Sequence, residues 1–166
     1  MIPQTALVVA GPFGDELSAE DVARAIGRGL VAGGRPAPDL CPIDLEQRTP
    51  TDDDSQTAAG RSRRSRRPVD ASDVAALLAG LDFDARMRSA RAVVLVEERL
   101  RESALRGSVA FEIATRARQG GVPAYAVTAE NALAPFDARI LDLQVIVEVD
   151  DRRALASAGR KLARLL

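Results

Sequence analysis

The sequence predicts a three-layer α/β sandwich built on a doubly wound, five-stranded parallel sheet. Five short apolar runs, rich in β-branched residues, alternate with segments that show the helical periodicity of about 3.6 residues. Each connection between the runs is long enough for the crossover that parallel strands require. With 166 residues, of which 46% are hydrophobic, the chain can bury one core, and we expect a single domain over residues 1–166.

The first predicted unit is strand, helix, strand. Residues 5–10, TALVVA, predict a buried strand. After a loop that contains glycines, Ser18 with Asp21 three residues later is typical of a helix N-terminus. Residues 38–45 predict the second strand, and their prolines favour an edge position in the sheet. This order indicates a parallel, right-handed unit.

Residues 46–70 interrupt the pattern, because they contain almost no large apolar side chain. Such a segment cannot bury enough surface to offset the entropy of ordering, so we predict a mobile charged loop. One interpretation is that the five arginines of this loop bind the phosphate backbone of a nucleic acid. These residues are Arg61, Arg63, Arg64, Arg66 and Arg67. No aromatic side chains stand between them to stack on bases, so we prefer to interpret them as part of a solvated loop.

The alternation resumes after this loop. The predicted elements up to the fourth strand are a helix capped by Ser72, a short helix around Phe83 and Met87, a strand at 92–96, a turn at 97–99, a helix at 105–118 with a break near Gly107, and a strand at 124–128. The last are a short helix within 131–142, a strand at 143–149, and a helix capped by Asp150 or Asp151 with Leu155, Ala158, Leu162 and Leu165 facing inward. Among doubly wound sheets, we expect the flavodoxin-like strand order 2-1-3-4-5.

Missing residue types exclude several classes of function. The chain has no histidine, which removes the commonest general base and the commonest transition-metal ligand. Cys41 is the only cysteine, so it cannot form an internal disulfide, and we predict a buried, inert thiol. Balanced charge, with 23 basic and 24 acidic residues, favours neither nucleic acid nor membrane. Without a signal peptide or an apolar run of about 18 residues, we expect a cytoplasmic protein with no membrane contact.

A ligand site is expected beyond the carboxyl ends of the strands, as in other doubly wound sheets. The candidate binding residues in this region are Gly11, Gly14, Glu97, Arg99, Thr128 and Asn131. Carboxylates dominate here and Arg99 is the only expected cation, so this edge would repel ATP unless metal ions bound first. Glu97 is expected to pair with Arg99, and Thr128 and Asn131 either bind a ligand or satisfy a turn. The arginine run could fold over this acidic edge, or over that of a neighbouring molecule.

Two blocks of the chain resemble bacterial glycerate kinases. Residues 81–107, LDFDARMRSARAVVLVEERLRESALRG, are similar to a family segment of the form GFDERLADADLVITGEGRLDEQTLRG, and the similarity continues through residues 109–129. Residues 7–30, LVVAGPFGDELSAEDVARAIGRGL, resemble the family's opening segment. The resemblance implies a flavodoxin-like domain, ATP and Mg²⁺ as cofactors, and glycerate as substrate.

The chain also departs from the family pattern. The family's second α/β domain is missing, and the loop at 46–70 takes its place. Gly11 and Gly14 replace an aspartate and a lysine, and Ser108 replaces a second lysine. In the GEGRLD motif only Glu97, Arg99 and Leu100 are retained.

Three functions therefore stay open. We favour a non-catalytic glycerate-kinase-like protein without cofactor that binds a protein partner or another copy of itself. The first alternative is a phosphotransferase in which Arg99 contacts the substrate and Glu97 holds Mg²⁺; no other metal site is predicted. The least favoured alternative is a nucleic-acid-associated protein that uses the arginine run.

Overall fold

A computed structural model describes residues 4–43, 71–101 and 108–166. Within these ranges, five parallel strands form one sheet in the order β2-β1-β3-β4-β5, with helices on both sides, which confirms the predicted α/β sandwich and flavodoxin-like order. The strands are β1 (Ala6–Ala10), β2 (Asp39–Pro42), β3 (Ala92–Arg101), β4 (Ala124–Ala132) and β5 (Leu143–Glu148). The helices are α1 (Ala19–Ala32), α2 (Ala71–Gly80), α3 (Phe83–Ser89), α4 (Val109–Gln119), α5 (Pro135–Ile140) and α6 (Leu155–Ala163).

The central strand β3 divides the core into two halves. Val93 and Leu95 pack with α2, α3 and α4 on one face, whereas Val94 and Val96 pack with α1 and α6 on the other. All residues from Ala92 to Val96 are buried, as expected for a parallel strand covered on both faces.

Serine caps explain where two helices begin. The Ser18 hydroxyl accepts a hydrogen bond from the Asp21 amide at 3.2 Å and so confirms the predicted start of α1. Ser108 is extended and accepts from the Phe111 amide at 3.1 Å, so α4 begins later than predicted. The predicted cap at Ser72 was wrong, because α2 already begins at Ala71.

The C-terminal region differs from prediction in two places. The predicted cap of α6 at Asp150 or Asp151 was wrong, because the N-cap of α6 is Ala154, which makes no side-chain hydrogen bond. Asp151 accepts a hydrogen bond from the Arg153 amide at 3.3 Å and instead caps the short 3-10 turn that precedes α6. Leu165 was wrongly assigned to the inner face of α6: it is 49% exposed, and Leu166 is buried instead. The helix α6 ends at Ala163, so the helical periodicity that placed Leu165 inside does not reach it.

Strands β3 and β4 continue beyond the rest of the sheet. The last pair between β1 and β3 is Ala10 with Val96, whereas β3 and β4 stay paired as far as Arg101 and Ala132. We call the extension, Glu97–Arg101 with Thr128–Ala132, the β3–β4 ribbon. The predicted turn at 97–99 was therefore wrong, because these residues continue β3. The short helix predicted within 131–142 is confirmed as α5, which begins only after β4 ends at Ala132.

Both edge strands carry features that block addition of a further strand. At the β2 edge, Pro42 has no amide hydrogen, and the Arg86 guanidinium donates to the Leu40 carbonyl at 2.8 Å. The β5 edge contains a register shift, because Leu143 to Ile146 on β5 spans one more residue than the paired segment of β4. Bulges and prolines of this kind are common protections of sheet edges.

Helices α1 and α6 touch backbone to backbone where they cross. A Cβ atom on Gly29 would lie 2.1 Å from the Ala156 carbonyl oxygen, and one on Gly159 would lie 2.4 Å from the Ile26 carbonyl oxygen. Only glycine fits at these two positions, and the pair forms the tightest part of this side of the core.

Candidate functional site

The candidate site lies at the carboxyl edge of the sheet, where β1 and β3 lead into opposite halves of the fold. This is the topological switch point of a 2-1-3-4-5 sheet, the usual place for a ligand in such folds. Gly11 follows β1 and donates its amide to the Val96 carbonyl at 3.0 Å. The Glu97 carboxylate lies beside it, with Oε2 3.5 Å from the place of a Cβ atom on Gly11. The structure thus brings Gly11 and Glu97 together, as the sequence predicted for this edge.

The Glu97 side chain has an unusual environment. It is half-buried, and it makes no hydrogen bond or ion pair with the residues that the structure describes. Burial raises the pKa of this carboxyl group from 4.5 to about 7, because the charged form loses hydration. The expected ion pair with Arg99 does not form, since Arg99 pairs with Glu130 instead. The Glu97 carboxyl group therefore titrates near neutral pH.

Arg99 and Arg101 share one carboxylate on the β3–β4 ribbon. The parallel register places Arg99 opposite Glu130, and Arg99 Nε lies 3.1 Å from Glu130 Oε2. Arg101 Nη2 lies 3.6 Å from the same oxygen. All three side chains are about half exposed, so each pair contributes about 0–1 kcal/mol to stability. Their main effect here is to reduce the positive charge that Arg99 offers to an anion.

Arg152 is a cation at this edge that the sequence analysis missed, so Arg99 is not the only one. It forms an ion pair with Glu16, which lies 136 positions earlier in the chain. Its Nη2 atom lies 2.6 Å from where a Cβ atom on Gly14 would be, and Glu98 Oε1 lies 3.7 Å from the same place. Its position shortly after β5 could have predicted this location, because the carboxyl end of β5 reaches the same edge.

Position 14 requires glycine for two reasons: its backbone conformation and the close approach of the Arg152 side chain. Its φ of +56° lies in the left-handed region, which favours glycine. The loop between β1 and α1 is closed by a pair of hydrogen bonds between Phe13 and Leu17, and Phe13 is buried. Gly14 thus allows a tight turn in a loop whose interior is filled by side chains.

Thr128 and Asn131 use their polar atoms within the protein. Thr128 is fully buried, and its hydroxyl oxygen lies 3.1 Å from the carbonyl oxygens of Glu98 and Glu130, so its single hydrogen is shared between them. The same oxygen accepts from the Glu130 amide at 3.3 Å. Asn131 accepts from the Leu133 amide at 3.2 Å, which is typical of an Asx turn. Both residues lie in β4, on the ribbon, where the Thr128 hydroxyl and the Asn131 side-chain oxygen already make hydrogen bonds within the protein.

A cavity of about 460 Å³ opens at this edge between the first loop and the start of the C-terminal helical region. Its walls carry negative charge from Glu16 and Asp151 and positive charge from Arg152 and Arg153. Across the described part of the edge, carboxylates still outnumber guanidinium groups. The described residues contain no group of three or more carboxylate or cysteine side chains placed to hold a metal ion.

Some predicted residues cannot be placed. The five arginines between 61 and 67, the loop at 46–70 and the helix break near Gly107 lie outside the described residues. In the described part of the chain, no helix combines the length and apolar character needed to cross a membrane. Comparison with protein-family models, with curated proteins and with solved structures gives no match for this chain.

Proposed function

We propose that this chain is a non-catalytic binding module on a glycerate-kinase-like scaffold, acting in the cytoplasm through a protein partner or another copy of itself. The observation that supports it best is the pairing of three arginines at the carboxyl edge with carboxylates. Arg99 and Arg101 share Glu130, and Arg152 pairs with Glu16. Phosphoryl transfer depends on cations and backbone amides that face the phosphates. The positive charge of each of these guanidinium groups is partly offset by its carboxylate, which weakens its attraction for a phosphate.

The glycine loop after β1 supports the same proposal. An anion that approached Gly11 would meet the Glu97 carboxylate, and one that approached Gly14 would meet Arg152 already held by Glu16. In the family that the chain resembles, an aspartate and a lysine stand at these two glycine positions. The loop here is built as a packed turn, which favours a binding role over nucleotide chemistry.

Isothermal titration of the full chain with MgATP and, separately, with D-glycerate tests this proposal. We expect no saturable heat for either ligand at millimolar concentrations. Saturable heat that is lost in the Arg99→Gln variant and kept in Arg28→Gln, an exposed arginine on α1 away from the edge, would contradict the proposal. Such a result would favour the phosphotransferase alternative.

One observation favours that alternative, a glycerate-kinase-like phosphotransferase that uses ATP and Mg²⁺. Glu97 lies in the switch-point crevice with a pKa of about 7, and a general base works best when its pKa is near the operating pH. Glu97 would then accept the proton of a substrate hydroxyl or hold Mg²⁺, and Arg99 would contact the substrate carboxylate. A phosphotransfer rate that rises with pH around 7 and is lost in Glu97→Gln would support it.

A further inference from the structure

An apolar groove of about 520 Å³ lies between α1 and the edge strand β2. Its lining includes Gly27 and Val31 from α1 and Pro38 and Leu40 from the following segment. A Cβ atom on Gly27 would lie 3.3 Å from both Pro38 and Leu40, so the missing side chain deepens the groove. Val31 is 50% exposed at the rim. The groove is large enough for an aromatic side chain and has no apolar cover among the described residues.

Two arginines flank the groove one helical turn apart on α1. Arg24 pairs with Glu20 at 2.5 Å. Arg28 has no carboxylate partner among the residues that the structure describes. The groove thus presents an apolar floor with one open positive charge beside it, which fits an apolar side chain that has a carboxylate next to it.

Helix α5 presents such a side chain. Phe136 is 72% exposed, Ile140 one turn later is 42% exposed, and α5 buries none of its residues. Asp137 directly follows Phe136 and has no cationic partner in the described part of the chain. Exposed aromatic residues next to further apolar surface are typical of protein contacts.

We infer that Phe136 of one copy docks into the α1–β2 groove of the next copy, with Asp137 facing Arg28. The groove lies at the β2 side of the sheet and α5 lies in the β4–β5 unit at the opposite side, so the contact joins two different surfaces. Repeated, such a head-to-tail contact builds a chain, or a ring if the rotation closes. Side chains make the contact because both strand edges are protected.

Charge fixes the direction of this docking. Asp137 and Arg139 lie on opposite flanks of the Phe136–Ile140 pair. With Asp137 toward Arg28 the charges attract, whereas the reverse orientation would bring Arg139 against Arg28. The inference deepens the part of the proposed function that names another copy of the chain as partner, but neither surface includes a residue of the carboxyl edge, so the two proposals fail separately.

Sedimentation equilibrium of the full chain between about 10 µM and about 1 mM tests the inference. We expect the average mass of the wild type to rise above that of a dimer as concentration increases. Phe136→Ser, which removes the aromatic ring, and Val31→Glu, which places a carboxylate at the groove rim, should each weaken association at least about tenfold. Leu165→Ser is the matched control: it removes another large apolar side chain, 49% exposed, outside both surfaces, and should leave the mass unchanged.

An equal mixture of the Phe136→Ser and Val31→Glu variants gives the decisive result. Phe136→Ser keeps an intact groove and Val31→Glu keeps an intact Phe136, so an equal mixture should form dimers and nothing larger. A wild type that stays monomeric throughout this concentration range overturns the inference and leaves the groove to another protein or to another part of the chain. So does a wild type that stops at a dimer insensitive to Val31→Glu, or a mixture that stays monomeric. None of these outcomes changes the expected titration with MgATP or D-glycerate.

Discussion

Replacing Glu97 with glutamine should remove most of the pH dependence of stability between about pH 5 and about pH 8.5. Burial raises the pKa of Glu97 from 4.5 to about 7, so the folded state binds this proton more tightly than the unfolded state does. Stability from this group is therefore complete below pH 4.5 and is lost as pH rises through 7.

The size of the effect follows from the same two pKa values. Each unit of difference corresponds to about 1.36 kcal/mol, so the shift from 4.5 to about 7 gives about 3.4 kcal/mol in total. About 2.5 kcal/mol of this should be lost between about pH 5 and about pH 8.5. The chain contains no histidine, so few other groups titrate in this window.

Urea unfolding of the wild type and the Glu97→Gln variant at both pH values measures this difference. The wild type should lose about 2.5 kcal/mol of unfolding free energy on going to the higher pH, and the variant should lose little. Glu98→Gln is the matched control, because it removes the neighbouring carboxyl group and leaves Glu97 in place. If Glu97→Gln keeps the pH dependence of the wild type, the carboxyl group is not desolvated in the folded protein and the reasoning fails.

Two further substitutions test packing and hydrogen bonding. In Gly29→Ala the new Cβ atom would meet the Ala156 carbonyl oxygen at 2.1 Å, so α1 and α6 must separate. Overpacking of about 1–3 kcal/mol outweighs the gain of up to about 1 kcal/mol in helix propensity, and thermal unfolding should show a Tm lower by several degrees. Thr128→Val removes the buried hydroxyl that the Glu130 amide and nearby carbonyl groups use, and should lower the unfolding free energy by about 1–3 kcal/mol.

Each of these two variants has a control in the same chain. Gly27→Ala also adds a methyl group to α1, but it would meet only side-chain atoms at 3.3 Å, and its Tm should be unchanged or slightly higher. Thr115→Val changes a partly exposed threonine on α4 and should leave stability within about 0.5 kcal/mol. Equal effects of Gly29→Ala and Gly27→Ala, or of Thr128→Val and Thr115→Val, would refute the contacts proposed as the cause.

The sheet could be predicted because its strands are continuous apolar runs. Residues 92–96 are all apolar and three of them are valines, and a strand buried on both faces needs such a run. The β3–β4 ribbon could not be predicted in the same way, because Glu97 to Arg101 is mostly charged. The ribbon depends on contacts with the neighbouring strand, such as Arg99 with Glu130, and these pairings are not visible along the sequence.

The candidate site could be predicted only in part, and the reasons are geometric. Strand residues two apart lie about 6.6 Å from each other, whereas neighbouring strands lie about 4.8 Å apart, so Arg99 meets Glu130 on β4 before it meets Glu97. Arg152 approaches Gly14 from more than 130 positions away, and sequence spacing carries no sign of that contact. The location of Glu97 at the switch point was predictable because strand order alone determines it. The glycerate-kinase-like origin of the chain stays a prediction.

The crossing of α1 and α6 has a consequence for how the protein is made. The Arg35 guanidinium donates to the Ala163 carbonyl at 2.7 Å across 128 positions, so the whole contact joins early and late parts of the chain. At a synthesis rate of about 5–20 residues per second, the part of α1 that α6 covers stays uncovered for roughly 10 s after α1 leaves the ribosome. During that interval the backbone of α1 around Ile26 and Gly29, which α6 covers in the finished fold, is open to chaperones and to other nascent chains. In the folded protein α1 is covered by a helix that follows it much later in the sequence.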